Sequence, residues 1–202
     1  MAILSSLAEA IAEIEGIDYA SVIMIARTVR EGGLIRTGGR GTSAAHMQVT
    51  DAANLLIAVN VSPRLRSAVE TVKTYRDLAG EVPFDEPWVP STMRFTFGTA
   101  LESLIEVIAD RTFPSEFLGC PVPESVRKAF GENELTLRLT FYKPEPVATL
   151  GIRHGQVGPG LRFYFRKVGK EKGRRHRLGD RSESVSIGLP TIQAVAELLR
   201  DH

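Results

Sequence analysis

The chain of 202 residues has room for one large or two small domains, and with 43% hydrophobic and 24% charged residues it has the composition of a folded globular protein. Its longest apolar runs, such as Ala52 to Val61, are interrupted and far short of the roughly 20 residues a membrane span needs, and Cys120 is alone, which excludes an intramolecular disulfide or a cysteine-rich zinc site. The net charge of +1 hides a strong asymmetry, because Arg166 to Arg181 holds eight Lys or Arg against Glu171 and Asp180 alone. The first residues carry three glutamates and no basic leader, so no secretory signal is expected and a reducing cytoplasm is the expected location.

Leu4, Leu7, Ala8, Ile11 and Ile14 share one face of an amphipathic helix over 4–15, which Gly16 ends. A second helix runs from Asp18, a ready N-cap, to Glu31, with Val22, Ile25, Ala26 and Val29 inward. Gly32 and Gly33 are expected to supply the positive φ that ends it. Leu34-Ile35 and Met47-Gln48-Val49 read as two short strands flanking a glycine-rich basic loop, RTGGRGTSAAH, and Thr50 or Asp51 caps a helix over 51–59. The order is helix, turn, helix, strand, loop, strand, helix.

That order, with Arg27 and Arg30 on the second helix and Arg36 and Arg40 on the loop, resembles the winged helix-turn-helix superfamily of DNA-binding domains. In such proteins the recognition helix ends in a phrase much like Arg30-Glu31-Gly32-Gly33-Leu34-Ile35, and the hairpin after it is the wing. The resemblance covers roughly the first sixty residues and lies in pattern, not in an exact motif. It implies that Asp18 to Glu31 enters the major groove, with Arg27 and Arg30 supported by Tyr19, Ser21 and Thr28. The wing residues Arg36, Thr37, Arg40, Thr42 and His46 would then lie along the phosphate backbone or the minor groove. A nucleotide-binding P-loop is excluded, since no Gly-Lys-Ser/Thr ends the loop. A plain surface loop and a plain helical hairpin remain the alternatives.

Residues 63–79 predict a further helix, and 80–92, with three prolines, reads as a linker. The expected domains are therefore 1–80, a DNA-binding unit, and 93–202, an α+β unit for oligomerisation, ligand sensing or a second nucleic-acid contact. In the latter, Arg94 to Phe97 alternates like a strand, Thr99 to Asp110 has helical spacing, and Pro123 to Phe130 makes a shorter helix. From Leu135 the period becomes two: Leu135, Leu137, Leu139 and Phe141 share one face, Arg138 and Thr140 the other. Val147 to Arg153, Leu161 to Arg166 and Val185 to Leu189 supply the remaining strands, and Pro190 opens a terminal helix. The result is an antiparallel sheet of about four strands, covered on one face by helices.

The basic stretch then falls between two strands. Lys170, Lys172, Arg174, Arg175 and Arg177 are candidate phosphate contacts, and a solvated loop is the alternative. Tyr164, outward beside it, is placed to stack on a base. No catalytic constellation emerges. His46, His154, His176 and His202 lack metal-ligand spacing, and Cys120 has no histidine near it in sequence. Glu102, Glu106 and Asp110 line one helix face, more simply a wet surface than a two-metal centre. The expectation is a non-enzymatic, sequence-specific duplex-DNA-binding protein without cofactor or metal, dimeric or of higher order, most commonly a transcriptional regulator. Replication initiators, phage packaging subunits and protein-interaction modules use the same parts.

Overall fold

The computed structural model describes residues 2–39, 45–62, 64–81, 95–155, 160–167 and 182–200. The chain is α+β, with helices on one face of a five-stranded antiparallel sheet. Two helices open it, α1 (Leu4–Glu15) and α2 (Tyr19–Glu31). Gly16, at φ 66°, closes α1 in the left-handed conformation that only glycine adopts without cost, and the Asp18 carboxylate accepts the Ser21 N–H at 2.9 Å to start α2. Gly33, not Gly32, takes the positive φ that ends α2, and Leu34 N–H donates back to the Val29 carbonyl. Gly32 is needed for space, because a Cβ there would stand 2.3 Å from Val69 Cγ2.

The two short strands expected around the glycine-rich loop do not form among the described residues. Ile35 is buried, Met47 N–H donates to the Ala2 carbonyl, and Val49 is already the first residue of α3 (Val49–Val61). The physical reason lies in α3, whose sequence VTDAANLLIAVNV is apolar all round and buries ten of its thirteen residues. A central helix of that kind draws its flanking apolar residues into the core instead of leaving them to pair as a ribbon.

A 3-10 turn (Leu65–Ser67) and α4 (Ala68–Arg76) follow, in place of one helix over 63–79. Ala79–Glu81, expected as the end of that helix and the start of the linker, forms strand β1 instead. The strand expected over 94–97 also differs: Thr96 makes only an isolated bridge to Ala79, and Phe97 begins α5 (Phe97–Ala109) behind a Thr96–Thr99 capping box. After it come the small hairpin β2 (Glu116–Phe117) and β3 (Cys120–Pro121), α6 (Glu124–Gly131), β4 (Leu135–Lys143), β5 (Val147–His154), β6 (Gly160–Arg166), β7 (Glu183–Gly188) and α7 (Leu189–Arg200).

The sheet order is β1-β6-β5-β4-β7, so the strand from residues 79–81 lies on the sheet edge beside β6. Leu137, Leu139, Phe141, Leu150, Ile152, Phe163 and Phe165 face the helices. Phe97 joins the layers, its ring 5.6 Å from Phe141 and 5.1 Å from Phe165, both edge-on. α7 packs against both α1 and α5, and α3 against α5 and β4, so residues 2–78 and 97–196 contribute to one apolar core.

Candidate nucleic-acid interface

At 100° per residue, Tyr19, Ile23, Arg27 and Arg30 follow one another along a single flank of α2, while Ser21 and Thr28 fall on the other. Tyr19 is 43% exposed, Arg27 is exposed and Arg30 half-buried. Ser21 is committed to the helix cap, its hydroxyl donating to Asp18 at 3.1 Å, and the Thr28 hydroxyl donates to the Met24 carbonyl at 3.0 Å. The structure thus gathers Tyr19, Arg27 and Arg30 and separates them from the two hydroxyl residues expected to help them.

The 3-10 turn packs against α2 and brings exposed Arg64 and Arg66 beside it. These two were not among the expected contacts; the clue is the pair of arginines in Ser62-Pro63-Arg64-Leu65-Arg66, directly after a helix end. Among the described residues, none of Arg27, Arg30, Arg64 and Arg66 has an ion-pair partner. Four unneutralised guanidinium groups on adjoining elements are a surface that attracts phosphate.

The loop after α2 is closed at its base by Asp51, which is only 3% exposed. Its carboxylate accepts Arg36 N–H at 2.9 Å, Arg36 Nε at 2.6 Å and Gln48 N–H at 2.8 Å, and Arg36 also donates to the Gln48 side chain. Arg36, expected to hold a phosphate, is therefore an internal clamp. Gly38 lies so close to Ala45 that a Cβ would stand 2.3 Å from the Ala45 nitrogen, so the two limbs run side by side beyond the clamp. Thr37 and His46 are exposed on those limbs. Arg40 and Thr42 lie outside the described residues, as do Lys170, Lys172, Arg174, Arg175 and Arg177.

A second polar network crosses the helices. Arg76 donates to Asn54 at 2.8 Å and to Glu102 at 2.7 Å, and Asn54 donates to the Leu34 carbonyl. Glu102, one of the three carboxylates along α5, is thus tied to a cation, and among the described residues no three His, Cys, Asp or Glu gather as metal ligands. Cys120 is buried in the β2–β3 hairpin. Among the described residues, no helix is long and apolar enough to cross a membrane.

Burial perturbs two groups. The Glu15 carboxyl is raised above 4.5 by desolvation, partly offset by the Asn60 amide that donates to it, and burial raises the Tyr75 hydroxyl to about 12. Both lie in packing contacts: Tyr75 donates to the Tyr142 carbonyl and ties α4 to β4.

No family model, curated protein or solved structure matches this chain. What the molecule does is therefore read from its own surfaces.

Proposed function

We propose that the protein binds duplex DNA through α2, with Arg27 and Arg30 reaching the groove and Arg64 and Arg66 holding phosphates beside it. The single observation that carries this reading is that, among the described residues, those arginines have no ion-pair partner on and beside one partly exposed helix that follows a glycine turn. A helix fits the major groove, and an arginine there can donate two parallel bonds to a guanine edge. The loop beyond Arg36 contributes through its exposed Thr37 and His46, while Arg36 itself acts by fixing the loop base. Transcriptional regulation by a cytoplasmic homodimer is the process we assign, with two copies of α2 on successive turns of the double helix.

Binding of the full chain to random-sequence duplex, followed by fluorescence anisotropy between about 50 and 200 mM salt, tests this reading. Affinity is expected to fall steeply with salt, and Arg27→Ala/Arg30→Ala to weaken binding roughly 10- to 100-fold. A duplex affinity indifferent to both pairs, Arg27 with Arg30 and Arg64 with Arg66, would overturn it and leave the α2 face as a protein contact.

A further inference from the structure

The described helices that meet the sheet, α3, α6 and α7 among them, cover the face of Leu139 and Phe141, and the opposite face carries a pattern that the fold does not require. Across β7, β4, β5 and β6 the residues Gly188, Arg138, Gly151 and Arg162 are successive register partners. Two arginines therefore stand on alternate strands, roughly 10 Å apart at ordinary strand spacing, with nothing taller than backbone between them. Gly151 occupies the middle of the central strand, where glycine is unfavourable. Its backbone does not demand glycine, since its φ is not positive, and an added Cβ would meet only the Arg138 carbonyl, at 3.9 Å. The register runs unbroken through Gly151, so no bulge accounts for it, and close approach of a group from outside the chain is a further use of a strand-interior glycine.

The neighbouring rows say what that is. Tyr142 and Tyr164 rise from the same face and are 40% and 38% exposed. Among the outward register positions of the five strands the only acid is Glu81, and Arg166 already bridges it at 2.7 Å through both carboxylate oxygens. Arg138 and Arg162 have no ion-pair partner among the described residues, and Arg162 makes only a 3.5 Å contact with the Tyr164 hydroxyl. Unneutralised guanidinium groups take phosphates, and exposed phenol rings take planar π faces. Both occur together, with the π faces free, in a nucleic-acid strand that is not base-paired.

We propose that this open sheet face binds single-stranded nucleic acid, with Arg138 and Arg162 on the phosphates, Tyr142 and Tyr164 stacked on bases, and the backbone at Gly151 as the floor of the track. The site is independent of α2 and takes a different ligand.

The test uses the full chain and labelled oligothymidylate and oligouridylate, with the corresponding duplex alongside, followed by anisotropy at several salt concentrations. At least one of the two single strands is expected to bind, and the tighter identifies the sugar preferred. Tyr142→Ala/Tyr164→Ala is expected to weaken that binding at least about tenfold. Arg138→Ala/Arg162→Ala should flatten its salt dependence by about one unit of slope or more. Gly151→Val discriminates most sharply: it should weaken binding without lowering Tm, where a structural glycine would lower Tm. Arg27→Ala/Arg30→Ala should leave single-strand affinity unchanged, which separates this site from the duplex one. No binding of either single strand at about 50 mM salt, or affinities equal across the sheet-face variants, would overturn the proposal.

Discussion

Arg36 donates to the Asp51 carboxylate through both its main-chain N–H and its Nε, at 2.9 and 2.6 Å, so one buried side chain fixes the entry of the glycine-rich loop to the start of α3. The same carboxylate accepts Gln48 N–H at the loop's exit. Asp51→Ala strands two main-chain donors and the guanidinium, and is expected to cost about 2–4 kcal/mol in urea denaturation. Arg36→Ala leaves the buried carboxylate its two main-chain donors but no cation and should cost less, about 1–2 kcal/mol, with duplex affinity reduced only through the loosened loop base. An Arg36 variant that keeps its stability but loses DNA would return Arg36 to the phosphate backbone.

The flanks of α2 predict a division of labour. Ser21→Ala and Thr28→Ala should each change duplex affinity by less than about twofold, because their hydroxyls are spent within the helix. Asp18→Ala should destabilise the chain by about 1 kcal/mol through loss of the cap. A tenfold loss of affinity in either hydroxyl variant would place the groove-facing flank on the other side of α2.

Arg76 links three helices, so its removal is expected to be felt well beyond its own contacts. Arg76→Ala leaves the Asn54 carbonyl oxygen, on a residue 3% exposed, and the Glu102 carboxylate without their donor, for an expected cost of about 2–4 kcal/mol. Gly98→Ala should destabilise more mildly, since its Cβ would stand 3.0 Å from the Arg76 guanidinium carbon and 3.2 Å from its Cβ, pushing aside by a few tenths of an ångström a group that keeps both its acceptors. Equilibrium denaturation of the two variants measures the order.

Glu15 gives the chain a pH signature. Desolvation holds its folded carboxyl above 4.5, so the folded state binds the proton more tightly than the unfolded one. Its contribution to stability is fully present below the unfolded value and is lost as pH rises through the folded one. Glu15→Gln, which keeps an oxygen to accept the Asn60 amide, should raise Tm at neutral pH and lose that advantage below about pH 4. Thermal melts at the two pH values check it; a Tm gain that persists in acid would assign the effect to packing instead.

Much of this architecture is legible in residue order. The alternation from Leu135 to Phe141 becomes β4 with the same inward face, the Val147 segment becomes its antiparallel partner, and Pro190 sits in the first turn of α7. These features depend on neighbours two to four residues apart, where local geometry alone dictates which side chains share a face. Even the burial of α3 was available, since a helix apolar on every side has no surface to offer water.

Other features depended on where distant segments meet. Whether Arg36 would face a phosphate or Asp51, fifteen residues on, turned on how deeply α3 was buried. Whether residues 79–81 would end a domain or begin a sheet turned on β6, more than eighty residues away. Periodicity reported that Arg138 and Thr140 share a face, but the alignment of Arg138, Gly151 and Arg162 across three strands came from register alone. Local order is set by torsions and side-chain spacing, which each residue carries with it. Contacts between remote segments are set by which surfaces the whole chain can bury at once, and that choice exists only in the folded protein.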